Sequence, residues 1–450
     1  MISPNTALDR LEHAITLALR LGATAADAVL VAESATGIGV RLGKLEDIGR
    51  SETEEMGLRL FRGARSAQVS ISDLSDTSIR TAVERALAMA ETAPEDRFAG
   101  LAPVEMLAHG PFPDFESHDP AAGALPAERL KEMALEAEDA ARAVPGISNS
   151  EGGSASGGES LTALMTSHGF AAARHGSHVS VSAVAIAGDG ERRQRDYDWS
   201  QARHLEDLEP PARIGRTAGE RAVARLDPVR PGTGSMPVIF DPRVSASLLS
   251  HLVAAISGPA IARKTSFLLG REEEALFDPA IRIVDDPHRR RGLRSRAFDG
   301  EGLPTTGRDL VSDGRIAGWL MESASARQLG LAPTGHASRG ITGPPGVAVS
   351  NLHMEPGSVS PDELMADVAR GLYVTELIGM GVNLITGDYS RGAGGFLIRD
   401  GRIAEPVSEV TIAGSLPAMF RALRPANDLH FRQAMNAPTL RIDDMTVAGG

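Results

Sequence analysis

Several groups of residues in this chain carry side chains able to act on a substrate or an ion. Asp299 and Glu301, in Phe298-Asp299-Gly300-Glu301-Gly302, lie two apart and would share one face of an extended segment. Two carboxyls so placed can have their pKa values driven apart and work as an acid and base pair; the interleaved glycines give the simpler reading, a structural turn. His175 and His178 are the closest histidine pair. On a strand, residues three apart point to opposite faces, and a metal site would need further ligands and a supporting shell. Asp285, Asp286 and His288 offer ligands to a cation, but Asp-Asp-Pro beside Arg289-Arg290-Arg291 reads more simply as a charge-paired turn. Gly387-Asp388-Tyr389-Ser390, running on to Gly395, can bring backbone N–H groups close to a ligand. It lacks the Gly-Lys-Ser/Thr of a phosphate loop, so a tight chain reversal or contact with a peptide or partner is the better reading. Ser390 is not set in Gly-x-Ser-x-Gly, and no such elbow occurs elsewhere, which disfavours a serine hydrolase.

His251 sits on the most strongly signalled helix, Asp241 to Gly258. Asp241 can cap the free N–H groups, Pro242 suits the first turn, and Gly258 supplies a left-handed stop. Val244, Leu248, Leu252 and Ile256 recur every four residues as a buried stripe, with His251 about 100° away at its edge. Taken alone, His251 is an ordinary boundary histidine.

Downstream stand, in order, Arg263-Lys264-Thr265-Ser266-Phe267, Val284-Asp285-Asp286-Pro287, Phe298 to Gly302, Thr334-Gly335, Ser350-Asn351-Leu352, Gly371 to Glu376, Thr386 to Ser390 and Val447-Ala448-Gly449. This ordered series resembles the PmbA/TldE branch of the TldD/PmbA family, formerly grouped as modulators of DNA gyrase; the N-terminal half matches only in general layout. The TldD branch of that family carries a His-Glu-x-x-x-His helix and a later Cys, which resemble a zinc peptidase site. Zinc there needs imidazole or thiolate ligands, and its water needs a carboxylate to take the proton. Here His251 would be the vestige of that motif, with Leu252 at the place of the base and Ile256 near that of the second ligand. No histidine in the chain is followed by Glu, and there is no Cys. The resemblance therefore implies a peptidase-family subunit with no zinc of its own, paired with a TldD-like zinc peptidase that holds the metal, and an unfolded or extended peptide as substrate. A homodimer in isolation is the other assembly it allows. It assigns no catalytic role to Asp299 or Glu301. The rival expectations are a homodimeric hydrolase working through Asp299, Glu301 or a distributed metal site, and a peptide-binding scaffold with no peptidase partner.

The composition fits this frame. At 450 residues, with 42% hydrophobic and 23% charged content, the chain is globular and long enough for about three domains. A net charge of -13 opposes non-specific nucleic-acid binding, so the gyrase label does not imply DNA contact. Charged Asp9, Arg10 and Glu12 precede any apolar run, unlike a secretory signal, and no apolar segment approaches the ~20 residues that span a bilayer. A cytoplasmic protein away from membranes is expected. Zero Cys excludes disulfides and thiol nucleophiles.

The elements that must position these residues can be read from periodicity and punctuation. Helices are predicted over Leu8 to Leu21 with Gly22 as stop, Ser75 to Ala90, Pro126 to Ala143 and Pro210 to Leu226. Alternating segments fall at Ala28 to Ala32, Gly37 to Leu42, Gly57 to Phe61 and Ala67 to Ile71. Glu151 to Gly158, rich in Gly and Ser, reads as a mobile hairpin or loop. Asp313-Gly314 and Asp400-Gly401 read as hairpin turns, and Ser360-Pro361-Asp362-Glu363 as a capping box. The expected fold is α+β. A mixed first part comprises an N-terminal unit over 1–100 and a middle unit over 117–228, and a β-rich TldD/PmbA-type C-terminal unit follows over 235–450.

Overall fold

The computed structural model describes residues 1–449. The first part runs α1 (Pro4–Arg20), β1 (Ala25–Arg41), β2 (Lys44–Arg62), β3 (Arg65–Ile71), α2 (Asp76–Thr92), α3 (Pro120–Gly123), α4 (Ala127–Arg142), β4 (Ile147–Thr166), β5 (Ala171–Ala187), β6 (Gln194–Ala202) and α5 (Pro211–Ala224). Its six strands form one antiparallel sheet in the order β3-β2-β1-β4-β5-β6, so the first two sequence units contribute three strands each and meet where β1 pairs with β4. Strand alternation gives the sheet two distinct faces. Ala26, Ala28, Leu30 and Ala32 point into a core with α1 and α2, and Val179, Val181 and Ala183 pack under α4 and α5. The opposite face carries Val29, Leu164 and Ala172, which pack on Phe298 and Leu303 of the C-terminal part.

The two alternating segments expected between Ala28 and Leu42 are one continuous strand, and β2 begins well before Gly57. Glu151 to Gly158 corrects a prediction: it is the middle of β4, paired on both sides. Its glycines serve close packing. A Cβ at Gly153 would collide with the Ala134 carbonyl of α4, so only a bare backbone lets that helix lie so near the sheet. Buried Glu138 on α4 then reaches the β1–β2 turn, accepting from the N–H groups of Leu42 (2.7 Å) and Gly43 (2.9 Å).

The C-terminal part comprises β7 (Gly234–Phe240), α6 (Pro242–Ala255), α7 (Gly258–Ala262), β8 (Ile283–Asp285), β9 (Arg308–Ser312), β10 (Arg315–Ile316), α8 (Ser323–Leu329), β11 (Ala337–Ser338), β12 (Gly346–Val347), β13 (Leu352–Met354), α9 (Pro361–Met365), β14 (Arg370–Ile378), β15 (Asp388–Arg399), β16 (Arg402–Ser415), α10 (Leu416–Ala422), β17 (Leu423–Pro425), β18 (Met435–Asn436) and β19 (Leu440–Ala448). The sheet β16-β15-β14-β7-β19-β17 curls until β16 also pairs with β19, closing a ring of five strands. A second sheet, β10-β9-β8-β13-β18, stands beside it, and one large core fills both. The α+β architecture with a β-rich C-terminal part is as expected. Asp313-Gly314 and Asp400-Gly401 make hairpin turns with both residues at positive φ, and Ser360 with Glu363 forms the capping box. No helix among the described residues is long and apolar enough to cross a membrane.

Candidate functional site

Helix α6 starts as the sequence predicts. The Asp241 carboxylate accepts from Arg243 N–H (2.9 Å) and from the Tyr373 hydroxyl of β14 (3.0 Å), which ties the helix to the strand ring. Its end differs from the prediction. The helix stops at Ala255 with Ile256 as the capping residue, and Gly258 opens the short α7 instead of serving as a left-handed stop. Hydrogen bonds from Gly258 N–H to Leu320 O and from Leu320 N–H to Ile256 O hold this corner in place, so no positive φ is needed. Leu248, Leu252 and Ile256 are fully buried in the C-terminal core, with Val244 at its margin.

His251, beside that stripe, is half-buried and faces Tyr389 at the start of β15, ring centres 5.9 Å apart and edge to face. Two of the singled-out groups therefore meet. Gly387, at φ +82°, makes the reversal that leads into β15; the Asp388 carboxylate accepts from Thr386 Oγ1, Tyr389 turns inward, and Ser390 stays exposed while its N–H donates to Gly381 O. His251 Nε2, the Tyr389 hydroxyl and Arg391 Nε are all buried without a hydrogen-bond partner. Burial, reinforced by Arg391, lowers the His251 pKa, and burial raises that of Tyr389. A neutral imidazole with a free nitrogen could ligate a metal, but zinc needs at least three such donors. The charged neighbour here is a guanidinium. Among the described residues no three His, Cys, Asp or Glu side chains are grouped to hold an ion, so this neighbourhood does not fit zinc.

Asp299 and Glu301 lie elsewhere, in the seam between the first sheet and the C-terminal part. Asp299 accepts from the N–H groups of Glu301 (2.9 Å), Leu303 and Ala337 (both 3.0 Å), which is the work of a structural turn. Glu301 accepts from Ser323 N–H (2.8 Å) and Oγ (2.6 Å) at the start of α8. Burial raises both carboxyls, Glu301 to about 7, against the pull of the Ser323 hydrogen bond and with Asp299 adding to the rise. Across the seam, Asp27 of β1 pairs with Arg59 of β2 and with Arg339 (3.2 Å), all three on or against the sheet face opposite the helices. Asp286 caps His288 N–H in a turn, while Asp285 points inward to Ser350 N–H (2.8 Å) and His336 (3.3 Å).

Between the same sheet face and the segments 112–118 and 293–298 lies a cavity of about 730 Å³, lined on the sheet side by Ser160, Thr162, Arg174 and His175. The sequence reading did not single out its arginines. Arg174, Arg203, Arg294 and Arg296 come from three segments, and the pairing of β5 with β6 and the approach of the 293–298 loop bring them to one void.

Family models for the PmbA/TldA metallopeptidase match almost end to end: domain 1 over residues 26–90, the central domain over 121–226 and the C-terminal domain over 233–449. The chain belongs to the PmbA/TldD metallopeptidase family. Metalloprotease PmbA of Escherichia coli O157:H7 is 36% identical over 98% of this chain and 96% of its own length; the PmbA homolog of Haemophilus influenzae is 34% identical over 97% and 94%. The crystal structure of a candidate modulator of DNA gyrase from Bacteroides thetaiotaomicron superposes with a TM-score of 0.91 at 27% identity, covering 100% of both chains. TldE from Thermococcus kodakarensis shares the fold, with a TM-score of 0.84 at 20% identity over 98% of this chain and 100% of that one.

Proposed function

We propose that this chain is the TldE/PmbA-like, zinc-free subunit of a cytoplasmic two-component metallopeptidase, and that it helps a TldD-like partner enclose an unfolded or extended peptide. The observation that carries the reading is helix α6. Its single histidine adjoins Leu252 and Ile256, both fully buried, at the places where a base and a second ligand would have to stand. With neither a Cys nor a His-Glu-x-x-x-His helix in the chain, this reading takes the donors for the catalytic zinc from the partner. An enclosing subunit selects unfolded chains by excluding folded ones, and an extended substrate can be held through its own backbone donors and acceptors.

The test is cleavage of an unstructured peptide by the metal-replete chain alone, by the TldD-like subunit of the same host alone, and by the two mixed. Activity of the mixture above the sum of the parts is the expected result; activity of the lone chain overturns the reading. One observation favours a second reading, in which the chain is a hydrolase in its own right: Glu301, raised to about 7, borders a cavity of about 340 Å³ shared with Arg59, Arg263 and Glu322. That reading requires Glu301→Gln to abolish an activity of the lone chain without unfolding it.

A further inference from the structure

We infer that the large cavity under the first sheet is a receptor for carboxylates, taking an acidic stretch of an extended peptide. The inference rests on the peptide-handling reading above and names the class of peptide. Four guanidinium groups line the void: Arg174 from β5, Arg203 just beyond β6, and Arg294 and Arg296 from the facing loop. Asp114 is the one carboxylate in the wall, and it is engaged as a turn cap for Glu116 N–H (2.8 Å). None of the four arginines forms an ion pair among the described residues. Arg203 donates to Ser177 O (2.8 Å) and Leu293 O, and Arg296 to Ala348 O (2.8 Å), contacts that fix their orientation without neutralising them.

Two buried guanidinium nitrogens at this wall lack partners, Arg203 Nε and Arg296 Nε. Arg174 is exposed, and its side chain opens onto the void. Desolvation by the walls around it lowers its pKa to about 10, with Arg296 and Arg203 adding to the shift. Asp299 and Asp285 act on Arg296 without pairing with it, so these like charges are gathered with no ion-pair partner in contact, a cost to the empty protein that an anion relieves. In a chain of net charge -13 this cationic hollow is a local inversion of sign, the arrangement that draws an acidic segment inward.

Carboxylates fit better than a nucleotide. The walls are strands and loops, with no helix start aimed at the void to cradle phosphate. Two aromatic rings of the lining are already engaged within the protein: Phe115 stacks on His288 (4.9 Å) and Phe112 packs against Phe298 (5.1 Å). Guanidinium forks pair bidentately with carboxylates, and guanidinium groups on both sides of the void suit a peptide with several of them.

The experiment is fluorescence anisotropy on the full chain with an unstructured peptide bearing four glutamates, with the same peptide carrying glutamines, and with ATP and pyrophosphate as competitors. The acidic peptide should bind at least about tenfold more tightly than the glutamine one, and salt should weaken it. Arg174→Gln with Arg294→Gln should remove most of that preference without lowering the melting temperature, since neither side chain has a hydrogen-bond partner within the described protein. The comparison of the two peptides on the unaltered chain needs no variant. Equal binding of both peptides, a preference that survives the double substitution, or displacement by pyrophosphate where acidic peptide fails to bind would each overturn the inference. Because peptide cleavage by the mixed subunits is measured separately, loss of the acidic preference with cleavage intact removes this assignment alone. Preference without assisted cleavage removes the accessory role alone.

Discussion

The wall around His251 and the seam around Glu301 both bury groups capable of acid–base chemistry, and they treat those groups in opposite ways. Around His251, one polar atom each of His251, Tyr389 and Arg391 is buried without a partner. In the seam, Asp299 holds three backbone N–H groups, Glu301 holds Ser323, and Asp27 bridges two arginines. Unbonded polar groups lining a core contribute little to holding it together, whereas a bonded seam fixes how the first sheet sits on the C-terminal part. Residue type alone does not separate the two cases; the partners do.

The comparison is broken most forcefully by rebuilding the missing motif. Leu252→Glu with Ile256→His would put a carboxylate and an imidazole into fully buried positions, and the loss should be about 5 kcal/mol or more, enough to prevent folding. A stable, zinc-dependent double variant in denaturant titration with metal analysis would show that the α6 wall is not apolar core. The next largest effect is expected in the seam. Asp27→Ala strands Arg59 and Arg339, both buried, and should cost about 3–5 kcal/mol in urea unfolding.

Glu301 sharpens the comparison through pH. Its folded-state pKa, about 7, lies above the ordinary 4.5, so the folded chain holds this proton more tightly than the unfolded one does. Its stabilising contribution is complete below pH 4.5 and is lost as pH rises through 7. Glu301→Gln should remove that dependence, leaving the variant more stable than the parent at pH 8 by up to about 3 kcal/mol, with the difference vanishing toward pH 4. Parallel stability curves from pH 4 to 8 would refute the assignment. The smallest effect is expected at His251. His251→Leu takes an unpartnered nitrogen out of the wall and should change stability by no more than about 1 kcal/mol in either direction. A loss of 3 kcal/mol would mean that this histidine has a partner the packing does not reveal.

Where the local signal and the tertiary demand agree, the fold is legible from the sequence. Ser360 with Glu363 and Asp400 with Gly401 specify their own geometry, and the structure follows them. Glu151 to Gly158 misleads because glycine in a strand reads as flexibility, while its reason for being there is a helix that the sequence places elsewhere. Gly258 misleads in the same way: Leu320, far along the chain, secures a corner that a left-handed glycine would otherwise have made. At the candidate sites, the burial of Leu252 and Ile256 follows from a four-residue repeat, and the turn role of Asp299 from its flanking glycines. The encounter of His251 with Tyr389 and the gathering of four arginines depend on contacts between segments far apart in the chain, for which no local pattern exists.

The seam where β1 meets β4 has a consequence for how the molecule is made. Asp27 pairs with Thr166 and Val40 with Gly153, while in the C-terminal ring β7 pairs with β19, Gly234 opposite Val447. During synthesis the nascent β1–β2 hairpin therefore carries an open hydrogen-bonding edge until β4 has emerged, and β7 lacks one neighbour until β19 has emerged. Such long-range closures are slow and leave strand edges open to neighbouring chains. Ribosome-bound intermediates of this protein should thus be its most aggregation-prone form, and its demand for chaperones should be greatest before β19 has emerged.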